Sequence, residues 1–365
     1  MVDKSIYRKR IENVLCMLDK YNLDCILLNK SETINYLIGA NNTCSWVFIT
    51  RNNKIVVLVM ESDYKEYAKQ SIIEDIRTFQ THDPLKLWKD VIMELGLQYK
   101  SMALENDHLR FRDYLMLKGI FGNIINLDFN ADFIVEEARI IKEKDEIEKT
   151  KKASILALKV MNFTNNIIIK GESEINLMSK ILNKINSENE NAGALIYIGS
   201  DGRSSLSHNP PSNNKIKDGP VIVDLHLSLD SYYIDTARTF LLNHKQRNIY
   251  EFFKEKIHKY IDKCKDGQSI SELKNSFYKE LKLGLDKKFK FLTGPFLHGV
   301  GIKNYELPHL DHPFEAKGFI ETLKEGMVLA LSNIGIYSEN GWGVRYEETF
   351  LITKNKPDIF TFDNL

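Results

Sequence analysis

The stretch PVIVDLHLSLDSYYIDTARTFLL carries two carboxylates and an imidazole, Asp224, Asp235 and His226, close together in the chain. Asp224 follows the apolar run Val221, Ile222, Val223, and Asp235 follows Tyr232, Tyr233, Ile234, which predicts the two arms of a β-hairpin. Residues i and i+2 of a strand share a face, so His226 points the same way as Asp224. A hairpin brings Asp235 across to join them. Two carboxylates and an imidazole at one end of a sheet make a plausible divalent-metal site. Strand-end aspartates also cap turns, and taken alone this stretch more often has that plainer role.

Further along, TGPFLHGVGIKNYELPHLDHP places His298 against Gly-Val-Gly, a backbone tight enough to need glycine with an imidazole aimed from it. His309 and His312, around Pro308 and Pro313, read as exposed loop histidines. EGMVLALSNIGIY predicts a strand after a glycine turn. GWGVRYEETFLIT predicts a glycine-punctuated strand with Arg345 and Glu347 on one face and Glu348 on the other.

These residues need elements to hold them. Residues 1–135 alternate helices and strands. Helix 6–21 has Ile11, Val14, Leu15 and Leu18 at helical spacing, and Cys25–Leu28 is a short apolar strand. Residues 47–50 and 54–60 flank Asn52 and Asn53 as a hairpin, Tyr64–Gln70 and 86–97 are helical, and Met102–Leu104 is another strand. That pattern predicts an α/β domain. Residues 131–170 combine dense charge with periodic apolar residues, as expected of a strap leading into a long amphipathic helix, so the boundary falls near residue 135. A second domain, 136–365, then runs through helix 172–188, strands 194–198, 220–227 and 232–242, a helical pair across 246–281, and strands 327–331 and 346–352. Helices, hairpin, helices, strands is an α+β order.

Composition narrows the partners. Lys plus Arg (50) balances Asp plus Glu (50), which argues against a phosphate-backbone partner such as nucleic acid. Apolar runs are strand-length, so no membrane span is expected, and the N-terminus shows no secretory signal. Cys16, Cys25, Cys44 and Cys264 form no CxxC pair, which fits a reducing cytoplasm and gives no thiolate metal site.

Taken in order, SHNPPSNNKIKDGPVIVDLH, YYIDTARTF, HGVG, EGMVLAL and GVRYEET resemble the successive site motifs of the pita-bread metallopeptidases, a family that includes aminopeptidase P, prolidase, methionine aminopeptidase and creatinase. ARIIKEKDEIEKTKKA resembles the helix that opens that fold, and residues 1–135 resemble a creatinase-type N-terminal domain. The resemblance implies two metal ions, usually manganese, cobalt, zinc or iron, held by two aspartates, a histidine and two glutamates. Asp224, Asp235, His298 and Glu347 match four of these. His208 matches a histidine lining the substrate pocket, and Arg345 an arginine near the site. It also implies a homodimer.

The chain departs from the pattern at the chemistry. The fourth ligand, a glutamate six residues after Gly326, is Ser332, or Asn333 with a one-residue slip. In the family that glutamate also shuttles a proton. Tyr305 replaces a second pocket histidine, and His226 stands where the family has glycine. These residues imply a metal-dependent hydrolase of a small amide, dipeptide or amino-acid derivative. One or two divalent ions would be held by Asp224, His226, Asp235, His298 and Glu347, with His208, Tyr305 and Arg345 acting beside them. A creatinase-like or otherwise repurposed enzyme on a non-peptide substrate, and an inactive binding protein, are the alternatives.

Overall fold

The computed structural model describes residues 4–40, 45–80, 84–98, 100–106, 109–122, 125–206, 208–286, 289–291, 297–309, 321–332, 334–338 and 341–362. They fall into two compact units, Met1–Arg139 and Ile140–Leu365.

In the first unit the helix Lys4–Lys20 buries Ile11, Val14 and Leu18 along one stripe. Six strands form one mixed sheet in the order Ile76–Phe79, Ile55–Met60, Ser45–Thr50, Cys25–Leu28, Met102–Leu104, Ile125–Asn130. The two central pairs are antiparallel, and the expected hairpin turns through Asn53 at φ +60°. The outer pairs are parallel. Trp88 packs edge-on against Trp46, Phe48 and Phe121, with ring centroids 5.2, 5.7 and 5.8 Å away. The helices Ser31–Ile38 and Phe111–Phe121, which the sequence reading did not place, complete the alternation. Glu105 is buried beneath the sheet's end, and its Oε2 accepts hydrogen bonds from the Asn29 and Lys30 amides at 2.6 and 2.7 Å. Burial, and after it the charge of Asp132, pushes Glu105 up to about 7.

The second unit opens with the helices Lys144–Ile167 and Glu174–Glu188. They cover one face of a three-stranded antiparallel sheet, Ala192–Ser200, Pro220–Leu229 and Tyr232–Leu241. Strand alternation divides the work. Ile196, Ile198, Val221, Val223, Leu225, Leu227 and Ile234 pack against Ala153, Ala157, Val160, Leu177, Ile181 and Ile185, each large apolar side chain contributing roughly 1.5–3 kcal/mol. Tyr197, Asp224, His226 and Asp235 alternate with them and take the opposite face. The hairpin closes through Asp230 and Ser231 at φ +49° and +68°, the all-positive geometry of a two-residue turn matched to strand twist. That turn sets His226 directly opposite Asp235, and the third strand sets Tyr197 opposite Asp224.

Two more sheets complete the unit. One orders Phe289–Phe291, Gly335–Ser338, Trp342–Arg345; the other orders Glu306–His309, Leu297–Gly299, Val328–Leu331, Glu348–Leu351, Asp358–Ile359. The single strand expected through GWGVRYEETFLIT is therefore two, Trp342–Arg345 and Glu348–Leu351. The chain leaves one sheet after Arg345 and enters the other at Glu348, with Tyr346 and Glu347 between them. His309 is also not a loop residue: its backbone ends a strand and pairs with His298. His312 and Asn333 lie outside the described residues.

Candidate metal centre

Asp224, Asp235, His298 and Glu347 come together, 1–3% exposed, where the hairpin meets the two later sheets. His226 Nε2 lies 3.2 Å from Asp224 Oδ1 and 3.5 Å from Asp235 Oδ1. The other oxygen of each aspartate is engaged elsewhere. Asp224 Oδ2 accepts from Arg345 Nη1 at 2.7 Å, and Asp235 Oδ2 lies 3.2 Å from His298 Nε2.

The backbone fixes this arrangement. The Asp235 amide donates to Thr349 Oγ1 at 3.1 Å, and that hydroxyl donates to the Asp235 carbonyl at 2.7 Å. The Glu347 amide donates to the Ala237 carbonyl at 3.1 Å, and Thr236 Oγ1 donates to the Glu347 carbonyl at 3.0 Å. The break between the two sheets is what lets Glu347 lie along the Asp235 strand. Gly299 meets its expectation by close approach rather than by turn geometry, since a Cβ there would sit 2.2 Å from the Leu307 carbonyl oxygen.

Ser332 faces the centre, with Oγ 2.8 Å from His298 Nε2. Tyr305 stacks on the His298 ring, centroids 4.8 Å apart. His208, at φ +48°, is reached through Tyr197, whose ring packs edge-on against His208 at 5.2 Å and His226 at 5.6 Å. Glu348 turns to the other side, against Arg238, Tyr346 and His258.

Sequence reasoning missed Tyr197, Asn304 and Thr349. Tyr197 was discoverable, because alternation in AGALIYIGS places it opposite Ile196 and Ile198. Asn304 and Thr349 carry no local signal. Asn304 Nδ2 sits 2.9 Å from His226 Nδ1, a pairing across 78 positions of sequence.

Electrostatics set what this pocket can hold. Burial alone would raise the Asp224 carboxyl, but His226 and Arg345 outweigh it and hold it below the usual range. Burial would lower His226, yet Asp235 and Asp224 raise it to about 10. Burial, then the charge of Asp224, pushes Glu347 well above an ordinary glutamate. Three buried carboxylates thus face too little positive charge. Asp224 Oδ1 and Asp235 Oδ1 are buried without a hydrogen bond among the described residues, and the donor atoms of Asp224, His226 and Asp235 lie within 4.8 Å of one another. Oxygen donors with imidazole suit manganese, iron, cobalt or zinc, so the residues present fit a divalent transition metal.

Comparison with known proteins agrees with this chemistry. The profile of metallopeptidase family M24 matches residues 148–354, and that of the creatinase/prolidase N-terminal domain matches residues 10–141. An Xaa-Pro dipeptidase of Pyrococcus furiosus is 28% identical over 359 residues, covering 95% of this chain and 96% of its own. One from Pyrococcus horikoshii is 29% identical and covers 96% of each. The crystal structure of the prolidase from Pyrococcus horikoshii OT3 superposes with a TM-score of 0.83 at 25% identity, over 98% of this chain and 99% of that one. With an M24 match spanning more than half its length behind an N-terminal creatinase/prolidase domain, the chain belongs to metallopeptidase family M24.

Proposed function

We propose that this protein is a metal-dependent hydrolase of dipeptides or small amides whose centre has been rebuilt around His226. The observation that carries the reading is the triangle of Asp224, His226 and Asp235, with its two carboxylate oxygens buried and facing the imidazole. Family M24 in general works with two ions. Here Ser332 removes one carboxylate ligand, Arg345 engages Asp224 Oδ2, and His226 adds a nitrogen donor. That balance of donors favours a single ion held by Asp224, His226, Asp235, His298 and Glu347.

A divalent transition metal bound there supplies Lewis acidity and a water that deprotonates near neutral pH. The chain's own groups do the remaining work. His208, held neutral chiefly by burial, donates a hydrogen bond to the oxyanion that develops at the scissile carbonyl. Tyr305 offers a second neutral donor from its stack on His298. Arg345 fixes the Asp224 carboxylate. Ser332 is no proton shuttle at neutral pH, and such help is typically worth about 10²–10⁴ in rate, so ordinary Xaa-Pro dipeptides turn over slowly. The substrate class proposed is a dipeptide, small amide or amino-acid derivative.

We also propose a homodimer, for which the exposed Phe111, Leu115 and Met116 offer an apolar face, and a cytoplasmic location, consistent with unpaired Cys16, Cys25 and Cys264. Among the described residues no helix is long and apolar enough to cross a membrane.

The test is metal content per chain, on protein purified without chelator, for wild type and His226→Gly. About one ion, lost in the variant, is the expected result. About two ions, unaffected by the variant, would return the ordinary dinuclear centre, and no ion even after reconstitution would overturn the reading.

A further inference from the structure

His226 has two ring nitrogens, and a histidine ligates through one only when the other is told where its proton belongs. Nε2 is the atom between Asp224 and Asp235. Nδ1 points away, and its partner is the Asn304 side chain at 2.9 Å.

An amide presents the same shape with oxygen and nitrogen exchanged, but the two orientations instruct the ring differently. With Nδ2 donating, Nδ1 is unprotonated and the proton lies on Nε2, in the space between the carboxylates. With the amide turned over, Oδ1 accepts from Nδ1–H, and the Nε2 lone pair faces Asp224 Oδ1 and Asp235 Oδ1. As placed, Asn304 Oδ1 is buried without a hydrogen bond among the described residues, and turning the amide gives it one.

The loop beneath Asn304 is held at both ends. The Gly301 carbonyl accepts from the Tyr233 amide at 2.7 Å, and the Gly301 amide donates to the Lys303 carbonyl at 3.1 Å. Glu306 follows, fully buried, accepting from the Lys303 amide at 3.2 Å and from Lys142 Nζ at 2.6 Å. Asn304 therefore addresses His226 from a fixed backbone.

We infer that Asn304 is a positioning residue that selects the His226 tautomer able to ligate a metal. It touches neither ion nor substrate and acts through the imidazole. This rests on the proposed role of His226 as a ligand.

The test is Co²⁺ titration of the full chain, followed by visible absorption and by heat, for wild type, Asn304→Ala, Asn304→Asp and His226→Gly. Asp keeps the acceptor that Nδ1–H needs and lacks the donor; Ala lacks both. Asn304→Ala is expected to bind Co²⁺ about 10- to 100-fold more weakly with a changed absorption band, while Asn304→Asp keeps the wild-type band and affinity within about threefold. A merely structural role would not be rescued by Asp, and thermal melts of the metal-free variants identify any that fail to fold. Wild-type affinity and band in Asn304→Ala, with both lost in His226→Gly, would overturn the Asn304 inference and leave the centre standing. Unchanged binding in His226→Gly would instead remove the ligand role of His226 and this inference with it.

Discussion

Arg345 Nη1 donates to Asp224 Oδ2 at 2.7 Å with both side chains 2% exposed, so one face of the first aspartate is committed inside the protein. Removing one partner of a buried ion pair leaves the other charge uncompensated. Arg345→Met is therefore expected to destabilise the protein by about 3–5 kcal/mol, read from urea unfolding. Arg345→Lys should recover only part of this, because an ammonium does not reproduce the planar fork. A loss under about 1 kcal/mol in Arg345→Met would show that water or another group satisfies Asp224.

Ser332 Oγ lies 2.8 Å from His298 Nε2, and in the proposed reading it stands in place of a carboxylate ligand. The double variant Ser332→Glu, His226→Gly restores a glutamate and removes the added imidazole. It is expected to bind about two ions per chain and to hydrolyse an Xaa-Pro dipeptide at least about tenfold faster than wild type. Metal analysis and a proline-release assay read the two effects separately. If both stay at wild-type levels, these two positions do not define the departure from the family.

His208 provides a pH signature. Burial, foremost, lowers it from 6.5, with Arg345 and His226 acting in the same sense and Asp224 and Asp235 opposing. The imidazole is then neutral at pH 7, and activity that needs it as a neutral donor should be flat above that and fall only below 6.5. His208→Gln should remove that acid limb while His208→Ala lowers kcat by about 10²–10³. An unchanged acid limb in His208→Gln would assign it to another group.

Glu105 governs a separate pH effect, in the first unit. Its carboxyl is raised from 4.5 to about 7, burial first and Asp132 second, so the folded state binds a proton that the unfolded state has released. The associated stability is present below about 4.5 and is lost as pH rises to 7, on the order of 3 kcal/mol at most. Glu105→Gln keeps an acceptor for the Asn29 and Lys30 amides and should flatten this slope. Urea midpoints at pH 5 and pH 7.5 for the two proteins decide it; parallel curves would rule Glu105 out.

Much of the site could be read from the chain because its key geometry is local. Asp224 and His226 share a face by strand alternation, and a two-residue turn returns Asp235 to them. The motif around His298 gave its glycine for a reason that the fold makes concrete, the backbone of Leu307 pressed against Gly299. What stayed hidden depends on distant strands. Nothing near Asn304 announces His226, and nothing near Thr349 announces Asp235. The run from Arg345 to Glu348 reads as one strand because every residue in it suits a strand. Only the presence of two sheets, each taking one end, reveals that Tyr346 and Glu347 lie between them.

The turn at Asp230 and Ser231 also bears on how this protein can change over time. Side chains along a strand alternate, so one residue added or removed at the turn would send Asp235 to the helix-covered face and bring Ile234 or Thr236 into the pocket. Loop length here is a parity condition: lineages can vary the two turn residues, and a net change of one residue severs the centre in a single step.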